Sequence, residues 1–393
     1  MSTFPFNSAT QSSAEARQYL ADELVSKGVI KTAAIRKAFE AIPRERFVPF
    51  FYERDEAPKR REWTRYDAAN TQDYMQIVYS DEALVTQVNE RGWPSSSSSM
   101  PTVMALMLEA LDIKPGQRVL EIGAGTGYNV AIMTMLTGDP RLVTSIEIDK
   151  GLAQQAQQAL LGTVGLVNVV VGDGYRGYPE HAPYDRIIAT ASVPLIPPAW
   201  TQQLGPGGRL VTDLHGSLAS GFLIMEKAQD GNISGHFQER PLHFMPLITE
   251  QLPQTSFDTV KNLLLEPRRE LFPLANNSPF PDIFENHSYR WFLQWFLPDT
   301  HISRQIMGDV TYIYLYNPKH CTILRFQQLN GKWAGDVHGS YPLWQKIQDA
   351  YATWEVLKRP APQHYRLEIN AHNQTVLYVG TLSLLVNAPQ KRA

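Results

Sequence analysis

The sequence predicts an α/β fold in which a mostly parallel sheet carries helices on both faces. Between Arg118 and about residue 237, short apolar runs alternate with helical stretches, as in parallel strands joined by helices. A glycine-rich turn at 123–127 follows the first of these strands, and acidic residues follow the next two. Ligands bind at the carboxyl ends of strands in such sheets. The same observations therefore predict the position of a site.

The elements follow in order along the chain. Residues 14–42 have apolar positions at three- and four-residue spacing, which predicts two helices that break near Gly28 and end at Pro43. Residues 51–75 lack periodicity and predict an irregular loop, and a serine run at 95–99 precedes an apolar helix. The predicted core strands and helices are Val119–Ile122, Asn129–Leu136, Val143–Ile148, Leu152–Leu161, Val167–Val171, Arg186–Thr190, Pro198–Leu204 and Arg209–Thr212.

The chain has 393 residues, which is too long for one ordinary core and predicts three regions. Residues 1–95 are expected to form an N-terminal helical cap and loop, and residues 96–240 the nucleotide-binding core. In that core, the pattern after Pro206 favours hairpin-connected strands at a sheet edge. Residues 241–393 are rich in tryptophan and proline and predict an accessory α+β region with a possible role in peptide recognition. Its tryptophans fit either a buried core or a peptide groove.

Composition limits the class of function. A net charge of −3 argues against a protein held to nucleic acid by phosphate contacts. The single cysteine, Cys321, excludes a Cys-based metal site or an internal disulfide and favours a reducing compartment. The sequence shows neither a signal peptide at its start nor an apolar run of membrane-spanning length. We therefore expect a cytoplasmic protein without a resident metal, and its oligomeric state stays open.

The glycine turn predicts a nucleotide-like ligand. Gly123, Gly125 and Gly127 let backbone amides approach a ligand at a helix N-terminus. Glu121 lies inside the preceding strand, where a dinucleotide-binding turn normally has an apolar residue. Its carboxylate is suited to the amine of a cationic ligand or to anchoring the loop. The Lys-Ser/Thr pair of a phosphate-binding P-loop does not follow the glycines.

Two further acids sharpen this prediction. Glu147 ends the next strand, 24 positions after Gly123, near the spacing at which an acid binds ribose hydroxyls. Asp173 follows the third strand, where its carboxylate is suited to the amino group of adenine, and Gly174 leaves room for the ring. Each acid alone also fits a cap, a solvated strand end or a turn. Their joint order favours S-adenosylmethionine (SAM), with S-adenosylhomocysteine as product, over NAD.

At this point the sequence resembles the protein-L-isoaspartate O-methyltransferases over roughly residues 15–225. The matching blocks are Pro43–Val48, Ser99–Pro101, Val171–Gly174, Pro183–Ile188, Val193–Pro197 and Pro206–Leu210. The resemblance implies a Rossmann-like SAM-dependent methyltransferase sheet and a carboxylate as the methyl acceptor. Met100 departs from the glutamine that is usual at its position.

Other features resemble a divergent branch of that family. They are the segment Tyr79–Thr86, the serine run and the long tail, which includes Phe244–Pro246. That branch accompanies ribosomally made, modified peptides such as lanthipeptides and graspetides. The resemblance implies an aspartate of a macrocyclised precursor peptide as substrate, whose ester closes to a succinimide (aspartimide) or gives isoaspartate. Repair of isoaspartate in damaged proteins is the alternative, and an inactive substrate-binding adaptor is a third.

The chemistry needs alignment more than a general base, because a carboxylate with a solution pKa near 3.9 is already a nucleophile at neutral pH. A neutral hydroxyl orients such a group without holding it as strongly as arginine would. Serine runs are otherwise typical of linkers, and the segment 193–197 also fits a merely stiff loop. The predicted catalytic residues are Ser99 and Ser98, and the predicted substrate-binding residues are Ser97, Pro101, Val193 and Pro194.

Overall fold

The computed structural model describes residues 12–54, 62–250, 257, 260–265, 270–273, 282–307, 310–329, 332–370 and 372–386. The helices in these ranges are α1 (Ser13–Ser26), α2 (Ala33–Ala41), α3 (Tyr74–Val78), α4 (Pro101–Leu111), α5 (Tyr128–Thr137), α6 (Lys150–Leu161), α7 (Pro198–Gln203), α8 (Asp282–Glu285), α9 (His287–Phe296) and α10 (Leu343–Val356). The strands of the N-terminal half are β1 (Phe50–Arg54), β2 (Trp63–Asp67), β3 (Leu84–Val88), β4 (Pro94–Ser98), β5 (Val119–Ile122), β6 (Val143–Glu147), β7 (Asn168–Val171), β8 (Tyr184–Ala189), β9 (Leu204–His215), β10 (Ser220–Lys227) and β11 (Ile233–Phe237). Those that follow are β12 (Glu270–Pro273), β13 (His301–Met307), β14 (Val310–Asn317), β15 (Thr322–Leu329), β16 (Lys332–His338), β17 (Tyr365–Ile369), β18 (Thr375–Val379) and β19 (Leu382–Val386).

A ten-stranded sheet in the order β19-β18-β17-β11-β10-β9-β8-β5-β6-β7 forms the centre of the fold. Strands β9, β8, β5, β6 and β7 pair in parallel. The pairs from β9 to β19 are antiparallel. Successive residues of β5 point to opposite faces, so Val119 packs in one buried cluster and Leu120 in the other. The predicted α/β sheet with apolar cover on both faces is confirmed.

The N-terminal region contains a second sheet, in the order β2-β1-β3-β4. The prediction of an irregular loop over 51–75 was therefore wrong for the described part of that segment. Aromatic packing gives it order, because Phe51 is buried and stacks on Tyr66 and Tyr74. The serine run was predicted as a loop or linker and instead forms β4. Its backbone pairing with β3 outweighs the weak strand preference of serine.

The tail adds a five-stranded sheet, β12-β16-β15-β14-β13, and then returns to the central sheet. Strand β17 pairs with β11, so β17–β19 extend the sheet of the core. Trp291 and Trp354 lie in the buried cluster that this region shares with the core, which favours the core interpretation for these two. The predicted boundary at residue 240 stays a prediction, but the sheet itself continues across it. No helix in the described ranges is long and apolar enough to cross a membrane.

Candidate active site

The glycine turn between β5 and α5 forms one wall of a cavity of about 610 Å³. Gly123, Gly125 and Gly127 have φ angles of 93°, 52° and 84°, in the region that favours glycine. Gly123 and Gly125 line the cavity. Gly127 does not line it: a Cβ there would lie 3.1 Å from the Cβ of Ala156 on α6. The need for glycine at position 127 is explained by the close packing of α5 against α6, and a cofactor contact there stays a prediction.

Glu147 lies at the end of β6, where the sequence predicts it, and lines the cavity. One carboxylate oxygen accepts the Gly125 backbone N–H at 2.8 Å, and the other accepts the Asp149 N–H at 3.0 Å. The side chain therefore fixes the glycine turn. A carboxylate oxygen accepts more than one hydrogen bond, so this bracing leaves capacity for ribose hydroxyls.

Glu121 is fully buried at the cavity wall. Its two oxygens accept hydrogen bonds from the Asn129 amide at 2.7 Å and the Ser145 hydroxyl at 2.6 Å. Burial raises the pKa of Glu121 to about 7, although these two donors act in the opposite direction. A cation bound beside it would favour the ionised form. The geometry supports both alternatives that the sequence left open, loop anchoring and contact with a cationic ligand.

The segment after β7 departs from the prediction. Gly174 lines the cavity, and a Cβ there would lie 2.5 Å from Ile122 Cγ2. Asp173 is not among the lining residues. Its carboxylate accepts the Tyr175 N–H at 3.0 Å and the Thr249 hydroxyl at 2.8 Å. Thr249 therefore competes with adenine for the Asp173 carboxylate.

Strand β4 places the serine run along the cavity, beside the glycine turn. Ser95 to Ser99 all line it, and Ser96 and Ser97 lie next to Gly125. The Ser98 hydroxyl is buried and accepts two hydrogen bonds from Arg44, each at 3.3 Å. Ser98 is therefore better placed to hold the strand than to act on a substrate. The Ser99 side chain is partly exposed, and its hydroxyl has no hydrogen-bond partner among the described residues.

Arg44 is a functional residue that sequence reasoning did not identify. It is fully buried, and its guanidinium donates to Ser98 Oγ and to four backbone carbonyl oxygens, those of Val78, Ser80, Glu82 and Ser99. It thereby ties the turn before β3 to the end of β4. The signal was present in the Pro43–Val48 block, but nothing in that block indicates which distant segments the arginine joins.

The second missed feature is a strap, Arg240–Ile248, which follows β11 and lines the cavity along its whole length. Met245 O accepts the Ser192 backbone N–H at 2.9 Å, and the Leu247 N–H donates to Ser192 O at 2.9 Å. The Phe244 N–H donates to Asp213 Oδ2 at 3.0 Å. The strap is held by these single hydrogen bonds and has no periodic pattern of apolar residues. The sequence therefore did not reveal it as a structural element.

Three of the predicted substrate contacts lie away from the cavity wall. Val193 is fully buried and pairs through its backbone with Asp213 and His215, and neither Val193 nor Pro194 lines the cavity. Pro101 is buried as the first residue of α4 and also lies off the cavity wall. The prediction that these three residues contact the substrate thus has no support in the cavity lining, whereas Ser97 and Ser99 lie at the wall.

The cavity fits SAM on geometric grounds. Asn129 lines it, and the Oδ1 atom of this buried side chain has no hydrogen-bond partner among the described residues. A buried acceptor left in this way suits an ammonium group. Glu121 supplies negative charge beside it, and the glycine turn offers space that a Cβ would reduce. No cluster of three or more His, Cys, Asp or Glu side chains in the described ranges is arranged for a metal ion.

Comparison with known proteins agrees with this geometry. A family model described as "Protein-L-isoaspartate(D-aspartate) O-methyltransferase (PCMT)" matches residues 62–252. The protein-L-isoaspartate O-methyltransferase of Hyperthermus butylicus is 35% identical over 245 residues, which are 60% of this chain and 90% of that protein. The protein of the same name from Methanopyrus kandleri is 34% identical over 238 residues, covering 60% and 92%. The chain belongs to the protein-L-isoaspartate O-methyltransferase family.

Family membership and the cavity together define the general activity. The chain is a SAM-dependent protein carboxyl O-methyltransferase, and SAM is its cofactor. The resemblance of the sequence to the family is confirmed, and the finer resemblance to the peptide-modifying branch stays a prediction. The alternative of an inactive adaptor finds no support in a site that retains Glu121, Glu147 and the glycine turn.

One solved structure resembles this chain over most of its length. A protein-L-isoaspartate O-methyltransferase superposes on 93% of this chain and 99% of its own, with a TM-score of 0.55 and 24% identity. This likeness concerns the fold alone. The sequence matches to the Hyperthermus and Methanopyrus proteins span nearly the whole of those proteins but only 60% of this chain.

Proposed function

We propose that this enzyme transfers a methyl group to the side-chain carboxylate of an isoaspartyl residue in a peptide or protein. The observation that carries the proposal is the hydroxyl of Ser99, which has no partner among the described residues and belongs to the cavity that the glycine turn also lines. A neutral donor in that place suits a carboxylate acceptor. The names of the relatives above support the isoaspartyl form of that acceptor.

The residues around the cavity supply alignment. SAM, when bound, supplies an activated methyl group on a positively charged sulfur. The acceptor carboxylate is ionised at neutral pH, so no general base is needed. The Ser99 hydroxyl orients one carboxylate oxygen, and the strap excludes water from the other side. Holding the reactants in line is a large part of such catalysis.

Arg44 contributes to the proposed reaction by holding β4 in position, not by binding the substrate. Its charge is directed at carbonyl oxygens and the Ser98 hydroxyl. An arginine that bound the acceptor carboxylate directly would stabilise the charge and weaken the nucleophile. By holding β4 instead, Arg44 leaves Ser99 as the neutral partner of the substrate.

A second candidate is methylation of an ordinary aspartate in a dedicated, macrocyclised precursor peptide, whose ester then closes to a succinimide. The serine run along the cavity favours it, because this run is among the features that resemble the peptide-modifying branch. Met100 favours neither candidate, because glutamine is usual at this position in both groups. A precursor peptide and a cytoplasmic setting belong to this proposal. Succinimide formation needs only attack by the next backbone nitrogen with loss of methanol.

One experiment separates the two candidates. The full chain and SAM are incubated with three peptides: one with isoaspartate, the same sequence with aspartate, and a cyclised aspartyl precursor. Intact mass reports a gain of one methyl group and then loss of methanol. Methylation of the isoaspartyl peptide alone supports the first candidate, and methylation of the cyclised precursor alone supports the second. If none of the three gains a methyl group, both candidates are wrong.

A further inference from the structure

The turn between α3 and β3, residues 79–83, contacts the start of α4 through the side chain of Asp81. One carboxylate oxygen accepts the Thr102 backbone N–H at 2.7 Å, and the other accepts the Thr102 hydroxyl at 2.6 Å. Only 11% of the Asp81 side chain is exposed, and Thr102 is buried. Neither residue lines the cavity. Any effect of this contact on the reaction therefore passes through the residues that lie between it and the cavity.

The first turn of α4 needs a hydrogen-bond acceptor from outside the helix. Met100, at the N-cap position, provides no side-chain hydrogen bond, and Pro101 has no N–H group. The N–H groups of the two residues after Thr102 both bond to Met100 O, at 3.0 and 3.1 Å. The Thr102 N–H is the donor that remains, and Asp81 accepts it. A carboxylate suits this end of a helix, because the helix dipole is positive there.

Arg44 fixes the same turn from another direction. Its guanidinium donates to the carbonyl oxygens of the residues on either side of Asp81, at 3.0 and 3.1 Å, and to Ser99 O at 3.1 Å. The backbone from Ser99 to Thr102 is therefore held at both ends. Arg44 holds the Ser99 end, Asp81 holds the Thr102 end, and the turn joins the two.

An ion pair with Lys27 is the other contact of the Asp81 carboxylate. Lys27 Nζ lies 2.6 Å from Asp81 Oδ2 and 2.7 Å from Glu23 Oε1. The Lys27 side chain is 41% exposed, so water and salt screen its charge. The bonds to Thr102 are buried and are not screened in this way.

The charge of Asp81 also occupies the positive end of α4. Ser99 directly precedes the N-cap residue Met100, so an acceptor carboxylate at the Ser99 hydroxyl would lie near this end of the helix. A helix N-terminus with a free N–H group attracts anions. Such a hold would weaken the nucleophile, as a bound arginine would. Because Asp81 already accepts the Thr102 N–H, the Ser99 hydroxyl is left as the donor to the acceptor.

We propose that Asp81 is a positioning residue for methyl transfer. It acts through Thr102, fixes the start of α4 and so directs the Ser99 hydroxyl at the acceptor carboxylate. Its charge keeps that carboxylate from binding to the helix end. The link to methyl transfer rests on the proposed function, whereas the ordering of the backbone around Ser99 does not.

The test measures kcat of the full chain with the peptide that it methylates, together with the Kd for SAM. Asp81→Asn removes the charge and places an amide donor beside the Thr102 hydroxyl. Its kcat should fall about tenfold while the Kd for SAM stays nearly constant. Lys27→Met removes the ion pair but leaves both bonds to Thr102, so both quantities should match those of the unaltered chain. Thr102→Val should lower kcat less than Asp81→Asn, and Thr102→Ser, which restores the hydroxyl, should recover most of the rate.

A matched control loses a helix cap elsewhere. Asn286 lies outside the cavity wall and accepts the Tyr289 N–H at the start of α9, at 3.2 Å. Asn286→Ala should lower the melting temperature and leave kcat unchanged at a temperature well below it. If kcat in Asp81→Asn falls no more than in Asn286→Ala, or if SAM affinity falls as much as kcat, the inference is overturned. An equal loss of kcat in Lys27→Met would also overturn it, because the ion pair would then account for the effect.

Hydrogen exchange separates failure of this inference from failure of the proposed function. Amide exchange in residues 97–104, followed by mass spectrometry, should be faster in Asp81→Asn than in the unaltered chain. It should be unchanged in Lys27→Met and Asn286→Ala. If no peptide is methylated while this difference is seen, the proposed function is wrong and Asp81 still orders the segment. If exchange in Asp81→Asn is unchanged, the inference is wrong even where methylation occurs. Where Asp81→Asn does not fold, equal kcat in Thr102→Val and Thr102→Ser would overturn the inference.

Discussion

The two walls of the cavity are built in different ways. The cofactor wall comes from β5, β6 and the turns that follow them, which are close together in sequence. The acceptor wall comes from two distant segments, the serine run and the strap, and Arg44 holds the first of them without lining the cavity. In a parallel sheet, adjacent strands place their carboxyl ends side by side, so the fold itself brings the residues of the cofactor wall together. The acceptor wall depends instead on individual contacts that no general rule provides.

This difference predicts where each wall is sensitive. The cofactor wall is stabilised by many backbone bonds of the sheet, so single substitutions there should alter binding more than folding. The acceptor wall depends on a few side chains, and the loss of one should disturb several segments at once. The predictions below test that contrast.

Arg44→Met should have the largest effect. It leaves four carbonyl oxygens without their donor in a buried place, and the unfolding free energy should fall by about 3 kcal/mol or more. Methyl transfer should be lost as β4 loosens. Urea unfolding followed by circular dichroism measures the first effect.

Arg46→Gln is the control for Arg44. Arg46 is exposed, and its guanidinium donates to Gly162 O among the described residues, so we expect a change in unfolding free energy well under 1 kcal/mol. Equal destabilisation by the two substitutions would contradict the role that we assign to Arg44.

The contrast also explains which features the sequence revealed. Glu121, Glu147 and the glycine turn were predictable because their spacing follows strand periodicity and the geometry of a strand–turn–helix unit. Gly127 and Asp173 fit the same spacing, but their surroundings use them for helix packing and for a bond to Thr249. A motif predicts which residues lie at the end of a strand. It does not predict which residues from elsewhere in the chain will contact them instead of the ligand.

The residues of the acceptor wall could not be predicted from sequence spacing alone. Ser99 was predicted only through resemblance to a family, since a serine run by itself favours a linker. Val193 and Pro194 were predicted from their position after the fourth strand of the core, but the strap lines the cavity and these two residues do not. The strap has no periodicity, and Ser192 and Asp213 hold it by single hydrogen bonds. Such contacts join residues far apart in the chain, where sequence spacing carries no information.

Glu147→Ala is the next largest change, and it acts on the cofactor wall. The substitution removes the acceptor for two backbone N–H groups and the predicted ribose contact. SAM affinity should fall by about tenfold to a hundredfold, as measured by calorimetry. Glu180→Ala, outside the cavity wall, is the control and should bind SAM like the unaltered chain. Unchanged affinity in Glu147→Ala would overturn the ribose assignment.

Ser99→Ala should have a smaller effect on a different quantity. It removes one neutral hydrogen bond to the acceptor, so the rate of methyl transfer should fall by about tenfold while the Kd for SAM stays nearly constant. Ser95→Ala removes a hydroxyl that is already bonded to Gln87 and should lower the rate much less. A parallel loss of SAM affinity in Ser99→Ala, or an unchanged rate, would show that Ser99 does not hold the substrate.

The pH dependence of SAM binding gives the smallest expected effect and separates the two walls. The pKa of Glu121 is raised to about 7 by burial, so this group is mostly protonated below pH 6 and becomes ionised as the pH rises. Only the ionised form attracts a cation. SAM affinity should therefore increase several-fold between about pH 5.5 and 7, before the amine of the ligand loses its proton near pH 8.

Two buried carboxyl groups make this test specific. Asp213 also has its pKa raised to about 7 by burial, but its contact is with the strap on the acceptor wall. Glu121→Gln should abolish the increase in SAM affinity with pH, whereas Asp213→Asn should retain it. Both are measured by calorimetry across the same buffers. If Asp213→Asn removes the increase and Glu121→Gln does not, the cationic end of the cofactor lies against the strap, and the assignment of the two walls must be reversed.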